Sequence, residues 1–311
     1  MINSGETLPQ STDLAEILAR YRDIVHGRAR ARFLDAELSE KLRLADALVS
    51  PCRLCERKCG AERKGGKAGV CGVLGSRVSS EFLHFGEEPE LVPSHTVFFA
   101  GCTFKCAFCQ NNDISQNPDC GAEIAPAGLA NRIERGGGIN VNWVGGDPTS
   151  DLEYILQVMK ELRALDLNIA QVWNSNMYMS EEAMGILDGV IDVYLSDFKY
   201  GNDRCARRLS KVDRYFEVVS RNHRLAARQC EILLRHLVLP GHIDCCTKPV
   251  LDWVAANIPN ERLRVNVMDQ YHPDFMVLRE KERYPELGRR LKMQEYLEAY
   301  EYARKLGLDL V

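Results

Sequence analysis

Cys102, Cys106 and Cys109 stand in the segment GCTFKCAFCQN, residues 101–111. Three thiolates at this spacing suit neither a structural zinc ion, which four ligands close, nor an electron-transfer iron–sulfur cube, which takes four cysteines. They would leave one metal corner open to a substrate or cofactor. A second group, Cys52, Cys55, Cys59 and Cys71, lies in CRLCERKCGAERKGGKAGVCG. Four thiolates on a glycine-rich loop close either a zinc site or a second cube. The spacing does not choose between them, and the reading leans slightly to iron–sulfur; a structural staple is the plainer role and an electron relay to the first cluster the sharper one. Arg53, Arg57, Lys58, Arg63, Lys64 and Lys67 surround this group. They would stabilise thiolates and offer a face to an acidic reductase; the plainer reading is a solvated charged loop. Cys120, Cys205, Cys230, Cys245 and Cys246 show no ligand-like grouping beyond the adjacent 245/246 pair. They read as ordinary buried thiols, and His236 and His242 read as structural.

The open three-cysteine site needs a rigid frame, and the pattern of the chain supplies one. Apolar strand-like runs recur as HTVFFAGC (95–102), INVNWVGG (139–146), NIAQVWNSN (168–176), IDVYLSDFK (191–199), EILLRHLVLP (231–240) and RLRVNVMDQ (262–270). Helical patterns lie between them. In SDLEYILQVMKELRAL, Leu152, Ile155, Met159 and Leu162 share a face, and Ser150 with Glu153 has the form of a capping box. SEEAMGILDG, a long DRCARRLSKVDRYFEVVSRNHRLAARQ, KPVLDWVAANI and MQEYLEAYEYARKLGL follow. Strands buried on both faces and joined by helices make a parallel α/β sheet. Six such units predict a partial (β/α)6 barrel of TIM type over residues 95–311. Residues 1–50 read as an N-terminal segment of two helices, and 51–94 as a cysteine-rich metal-binding module. In parallel α/β folds the site forms at the carboxyl ends of the strands. The three cysteines, GGDPTS, WNSN, SDFK, RHLVLPG and MDQYH all fall there, so six strand ends converge on one mouth.

Lys+Arg 40 against Asp+Glu 44 gives a net charge of −4, so no global basic field points to nucleic acid. No run of 18 apolar residues appears, and MINSGETLPQSTDLAE lacks a signal-peptide pattern. The expected location is cytoplasmic, away from membranes. Twelve cysteines in a reducing compartment argue for metal or catalytic use rather than disulfides.

From about Cys52 onward, the ordered combination of CxxxCxxC after a first barrel strand, GGDP, DFK, RHLVLPG and QYHP resembles the radical S-adenosylmethionine (SAM) enzymes. More narrowly, it resembles their pyruvate formate-lyase activating enzyme-like branch. The resemblance implies that Cys102, Cys106 and Cys109 hold a [4Fe–4S] cluster whose fourth iron takes SAM. One electron would then break the sulfonium bond and release a 5′-deoxyadenosyl radical. It also implies that Phe108 lies near the adenine and that Gly145, Gly146, Asp147 and Pro148 form the family's GGEP turn, with Asp in place of Glu. Asn174 stands where activating enzymes often carry an aspartate. Asp197 and Lys199 match a D-x-K pattern near the SAM carboxylate and ribose, Arg235 an arginine near that carboxylate, and His272 a histidine at the nucleoside. Plainer readings are a surface ion pair for Asp197 and Lys199, a solvent-facing arginine and a structural histidine.

The implied partners are SAM, an electron donor such as flavodoxin or ferredoxin, and a glycyl-radical enzyme whose backbone glycine loses a hydrogen atom. The N-terminal module replaces the ferredoxin-like insertion of many such activases, so a small molecule or another peptide residue competes as substrate. The reading from another class is a structural metal-binding protein or a zinc-ribbon nucleic-acid binder, which has no use for the GGDP turn.

Overall fold

The computed structural model describes residues 18–311; the expectation of no signal sequence falls on residues 1–17 and lies outside them. Seven strands form one sheet in chain order: β1 (Val78–His84), β2 (Ser94–Phe99), β3 (Asn140–Gly145), β4 (Ala170–Ser175), β5 (Val193–Asp197), β6 (Glu231–Leu237) and β7 (Leu263–Met268). From β2 to β7 every pairing is parallel, and these are the six strands that the apolar runs predict. The architecture is a partial α/β barrel. β1 is an addition: it pairs antiparallel with β2, so residues 78–84 belong to the barrel sheet rather than to a separate cysteine-rich module. Its VSSEFLH alternates burial along the strand, a weak signal beside the continuous apolar runs of its neighbours.

The crossovers are helical, as parallel pairing requires. After the short α4 (Asn112–Ser115), α5 (Pro126–Gly136) joins β2 to β3, and α6 (Leu152–Ala164) and α7 (Glu181–Leu187) follow β3 and β4. The capping box expected at Ser150 and Glu153 does not form. A 3₁₀ turn, Pro148–Asp151, precedes α6, and Ser150 Oγ bonds to Asp151 Oδ2 at 2.9 Å instead. The long helix expected over 203–229 is broken into α8 (Asp203–Ser210) and α9 (Tyr215–Gln229), because Lys211 and Arg214 take left-handed backbone angles, φ 57° and 49°. The break leaves the last carbonyls of α8 available to another segment. α10 (Lys248–Asn257), α11 (Phe275–Arg279) and α12 (Met293–Lys305) complete the chain. No helix among the described residues is long and apolar enough to cross a membrane.

The N-terminal segment holds α1 (Ala19–Val25), α2 (Arg32–Asp35) and α3 (Leu38–Val49), where two helices were expected. They seat on the amino ends of the strands. Glu231, at the start of β6, accepts from the free amides of Arg20 and Tyr21 at 3.4 and 3.3 Å, a carboxylate placed at the positive end of α1. Asn140, at the start of β3, donates to Tyr21 Oη at 2.8 Å. Asp192 accepts from the Arg32 amide at 3.1 Å. These bonds close the base of the barrel and leave its carboxyl end as the mouth. The core between sheet and helices holds Trp143, Trp173, Phe99 and Phe198 fully buried, each contributing roughly 1.5–3 kcal/mol through its burial.

Candidate active site

The loop after β2 carries Cys102, Cys106 and Cys109, and each sulfur has a hydrogen-bond partner. Cys102 Sγ accepts from the Phe104 amide at 3.3 Å, Ser210 Oγ lies 2.9 Å from Cys106 Sγ, and Ser115 Oγ lies 3.2 Å from Cys109 Sγ. Burial pushes the Cys106 thiol up to about 12, and Cys102 well above its ordinary value. Bare thiolates are therefore disfavoured, and a bound cation is what makes them stable. Donors aimed at sulfur also tune a thiolate-bound cluster. The loop itself is braced by α8: the Lys105 and Ala107 amides donate to the Ser210 and Leu209 carbonyls at 3.0 and 2.7 Å. The residues present thus fit a cubane held on three cysteines.

The GGDP turn presses on this loop. The Gly146 amide donates to the Phe99 carbonyl and the Asp147 amide to the Gly101 carbonyl, at 2.8 and 3.1 Å. A Cβ on Gly146 would overlap the Gly101 carbonyl oxygen, and Gly145 sits at φ 126° against Phe99. The two glycines are required by this close approach of two backbones. The Asp147 carboxylate is occupied locally, accepting from the Thr149 and Asn176 amides at 3.0 Å each and from Ser175 Oγ at 3.2 Å. Burial raises its pKa. Its role is to fix the turn, and the shorter Asp reaches these partners directly.

A cavity of about 530 Å³ at the mouth is lined by all three cysteines together with Phe108, Gly145, Gly146, Asp147, Asn174, Asp197, Lys199 and Arg235. Pro148 and His272 are not among its lining residues: Pro148 starts the 3₁₀ turn behind it, and His272 Nδ1 faces the Pro273 carbonyl at 3.3 Å. Lys199 Nζ donates to Asp197 Oδ2 at 2.5 Å. This is a largely buried pair rather than a surface one. Burial alone would pull the Lys199 ammonium down, but Asp197 and the Cys106 sulfur hold it above its ordinary value.

Arg235 is neither solvent-facing nor free. Its guanidinium is held by Glu88, at 2.8 and 2.6 Å, and by Glu87. Glu88 also accepts from Asn266 of β7 at 2.9 Å, and Glu90 pairs with Arg264. The segment HFGEEPEL between β1 and β2 is therefore stitched to the far strands of the open barrel. No role for this segment follows from its local pattern; its three carboxylates opposite Arg235 and Arg264 were the available signal.

Cys52, Cys55, Cys59 and Cys71 lie in one loop region against the first site. Burial raises the Cys55 thiol to about 12, with the other three sulfurs close enough to add to the rise. Cys55 bridges to Met179. A Cβ on Gly101 would lie 3.1 Å from the Cys71 carbonyl, so Cys71 sits beside the residue preceding Cys102. The basic residues around this group are partly turned inward. Arg57 donates to the Thr103 and Lys211 carbonyls at 2.6 and 2.7 Å, and the buried Arg63 donates to the Ser150 carbonyl at 2.8 Å. Lys64 pairs with Asp46 and Lys58 with Glu56. The fully solvated charged loop expected of this stretch is corrected: Arg57 and Arg63 tie the loop to the barrel.

One expectation fails outright. Cys205, Cys245, Cys246 and His242 converge, and among the described residues they are the group of metal-binding side chains whose ligand atoms all lie within 4.8 Å. Sequence spacing hides them because Cys205 is brought to the other three by the packing of α8 beside the turn after β6.

The chain matches the family model of the Radical SAM superfamily over residues 96–254. It is 45% identical over 282 residues to the uncharacterized protein MJ0674 of Methanocaldococcus jannaschii, covering 88% of this chain and 80% of that one. Among solved structures, it is similar to Streptococcus suis SuiB bound to precursor peptide SuiA, at 13% identity and a TM-score of 0.45, over 67% of this chain and 46% of SuiB. It is also similar to a domain of pyruvate-formate lyase-activating enzyme from Bacteroides vulgatus, at 15% identity and a TM-score of 0.44, over 56% of this chain and 98% of that domain. The chain thus spans less than half the length of SuiB. By its family match, which spans half of its length, the chain belongs to the radical SAM superfamily.

Proposed function

We propose that this protein cleaves SAM reductively at a [4Fe–4S] cluster held by Cys102, Cys106 and Cys109, and uses the resulting radical to abstract a hydrogen atom. The observation that carries this reading is that all three sulfurs, each with its own hydrogen-bond partner, line one cavity with Asn174, Asp197 and Lys199. Bound cluster and SAM together supply the one-electron cleavage that yields a 5′-deoxyadenosyl radical. The chain's own residues bind and orient. Lys199 offers a fixed ammonium to a carboxylate, Asn174 an amide to a polar group, and Phe108 an aromatic face. The apolar walls Phe98, Val144, Leu237 and Met268 limit water at the site.

Cys52, Cys55, Cys59 and Cys71 we assign to a second cube that relays an electron toward the first. Support comes from the closeness of Cys71 to Gly101, the residue before Cys102: a Cβ on Gly101 would lie 3.1 Å from the Cys71 carbonyl oxygen. A flavodoxin or ferredoxin is the donor this arrangement calls for.

The substrate we assign is a backbone glycine of a partner protein, the activase reaction. The mouth at the carboxyl ends of the strands, with the exposed Gln110 and Gln270 in its lining, is where a protein loop would reach the cavity. The test is an electron paramagnetic resonance spectrum of the reduced protein with SAM and the candidate glycyl-radical enzyme. A glycyl doublet that loses its splitting on α-deuteration supports the assignment. Deuterium passing from a labelled metabolite into 5′-deoxyadenosine, with no partner radical, contradicts it in favour of a small-molecule substrate.

A further inference from the structure

Cys205 comes from α8, and His242, Cys245 and Cys246 come from the turn after β6, where Ile243–Thr247 form one π-helical turn. Cys205 Sγ lies 3.6 Å from His242 Nδ1 and 3.9 Å from Cys245 Sγ. Cys245 Sγ lies 3.3 Å from His242 Nδ1 and 3.9 Å from Cys246 Sγ, and Cys246 Sγ lies 3.8 Å from His242 Nδ1. A tetrahedral ion with bonds of about 2.3 Å to sulfur and about 2.0 Å to nitrogen spaces its ligand atoms roughly 3.5–3.8 Å apart. Five of the six ligand pairs already lie 3.3–3.9 Å apart, and the sixth, Cys205 with Cys246, lies within 4.8 Å. Thiolates and imidazole select a borderline-soft ion over calcium or magnesium. We propose that Cys205, His242, Cys245 and Cys246 form a closed, mononuclear zinc site, distinct from both cysteine groups assigned above.

The surroundings are those of a metal site. His242 turns Nδ1 to the sulfurs and Nε2 to Glu286 Oε1 at 3.4 Å. A carboxylate there fixes the tautomer that leaves Nδ1 free to ligate. Glu286 is gripped in turn by Arg208 of α8, at 2.6 and 3.0 Å. Asn202 caps α8 by accepting from the Cys205 amide at 2.8 Å, and its Nδ2 donates to the Cys245 carbonyl at 2.6 Å with Cys246 Sγ at 3.8 Å. The π turn is what brings two adjacent cysteines to one point. The Thr247 amide bonds to the His242 carbonyl at 3.2 Å, and such widened turns occur mostly at functional sites. Gly201 permits the approach: a Cβ there would lie 2.8 Å from the Cys246 carbonyl oxygen and 2.9 Å from that of Cys245. A cavity of about 360 Å³, lined by Arg204, Arg208, Gly241 and Glu286 among others, opens beside Cys245 and gives the ion a way in.

Four protein ligands leave no open position, so the ion is structural. It clamps α8, and the far end of α8 holds the Cys102–Cys109 loop through Leu209 and Ser210. The site thereby sets the position of the radical centre without taking part in its chemistry.

The experiment is metal analysis and zinc-edge X-ray absorption on the full-length protein, purified anaerobically, supplied with zinc and desalted. About one zinc per chain, with three sulfurs near 2.3 Å and one nitrogen near 2.0 Å, is expected. Cys205→Ser with Cys245→Ser should remove that zinc while iron stays at the wild-type level, the check that the chain has folded. Glu286→Gln, which removes no ligand, should weaken zinc affinity about 10–100-fold. A double variant that keeps its zinc, a spectrum of four sulfurs with no nitrogen, or a zinc-free wild type with Cys205 and Cys245 joined as a disulfide would each overturn the proposal.

Discussion

The carboxylate of Glu88 and the guanidinium of Arg235 form a two-pronged ion pair, Oε1 to Nε at 2.8 Å and Oε2 to Nη2 at 2.6 Å. The pair is buried at the wall of the mouth cavity. It joins the loop before β2 to the end of β6 across the open side of the barrel. Arg235 is therefore a strut of the cavity wall, and a ligand that met it would meet a cation already neutralised by Glu87 and Glu88.

Removing one member of a buried pair leaves the other charged and uncompensated, which costs about 3–5 kcal/mol. Glu88→Ala should lose about 3 kcal/mol in urea unfolding under anaerobic conditions, because Glu87 still meets Arg235. Combining it with Arg235→Met should recover part of that loss. A Glu88→Ala protein as stable as wild type would show that the strut does not hold the wall.

Lys199 lines the cavity with its ammonium paired to one carboxylate, Asp197, where Arg235 meets two. Lys199→Ala removes one charge-assisted bond worth about 1.5–3 kcal/mol, so SAM affinity should fall roughly 10–150-fold in equilibrium binding. Iron content should stay at the wild-type level, since no cluster ligand is lost. Undiminished SAM affinity would remove Lys199 from the binding set.

The strand ends were legible in the sequence because a strand buried on both faces, such as VYLSD of β5, carries a continuous apolar run with its polar residues at the tip. That pattern placed WNSN and SDFK on one mouth, and the family resemblance singled out Asn174, Asp197 and Lys199 within them. β1 was missed because an edge strand alternates and resembles a loop. The Cys205–His242–Cys245–Cys246 convergence was invisible because it depends on the break after Ser210 and on a π turn, and neither leaves a sequence signature. The pairing of Glu88 with Arg235 spans 147 residues, a separation that no local pattern encodes.

The second cysteine group has its own signature. Replacing Cys52 and Cys55 together by Ala should lower reconstituted iron by about half, as one of two cubes is lost. Constant iron with a loss of zinc would make the group a zinc site, and no change in either metal would remove it as a site.

His236 gives a pH dependence. It lies between the Phe198 carbonyl at 2.7 Å and Thr247 Oγ1 at 2.9 Å, and burial lowers its pKa to about 4. The folded protein holds it neutral while the unfolded chain, titrating at about 6.5, takes up a proton. Its contribution is therefore full above about pH 6.5 and is lost as pH falls toward 4. Relative to a His236→Gln variant, wild-type stability should drop by about 1.4 kcal/mol per pH unit in that window. Parallel curves for the two proteins would place the imidazole in contact with water.

The central claim is that three thiolates on the loop after β2 hold the cluster that opens SAM. The most direct measurement is 5′-deoxyadenosine formed by the dithionite-reduced, anaerobic protein with SAM. Wild type should produce it, and Cys102→Ala, Cys106→Ala and Cys109→Ala should each reduce it to background, because each removes an iron ligand. Product formed at the wild-type rate by any of the three variants would contradict the account.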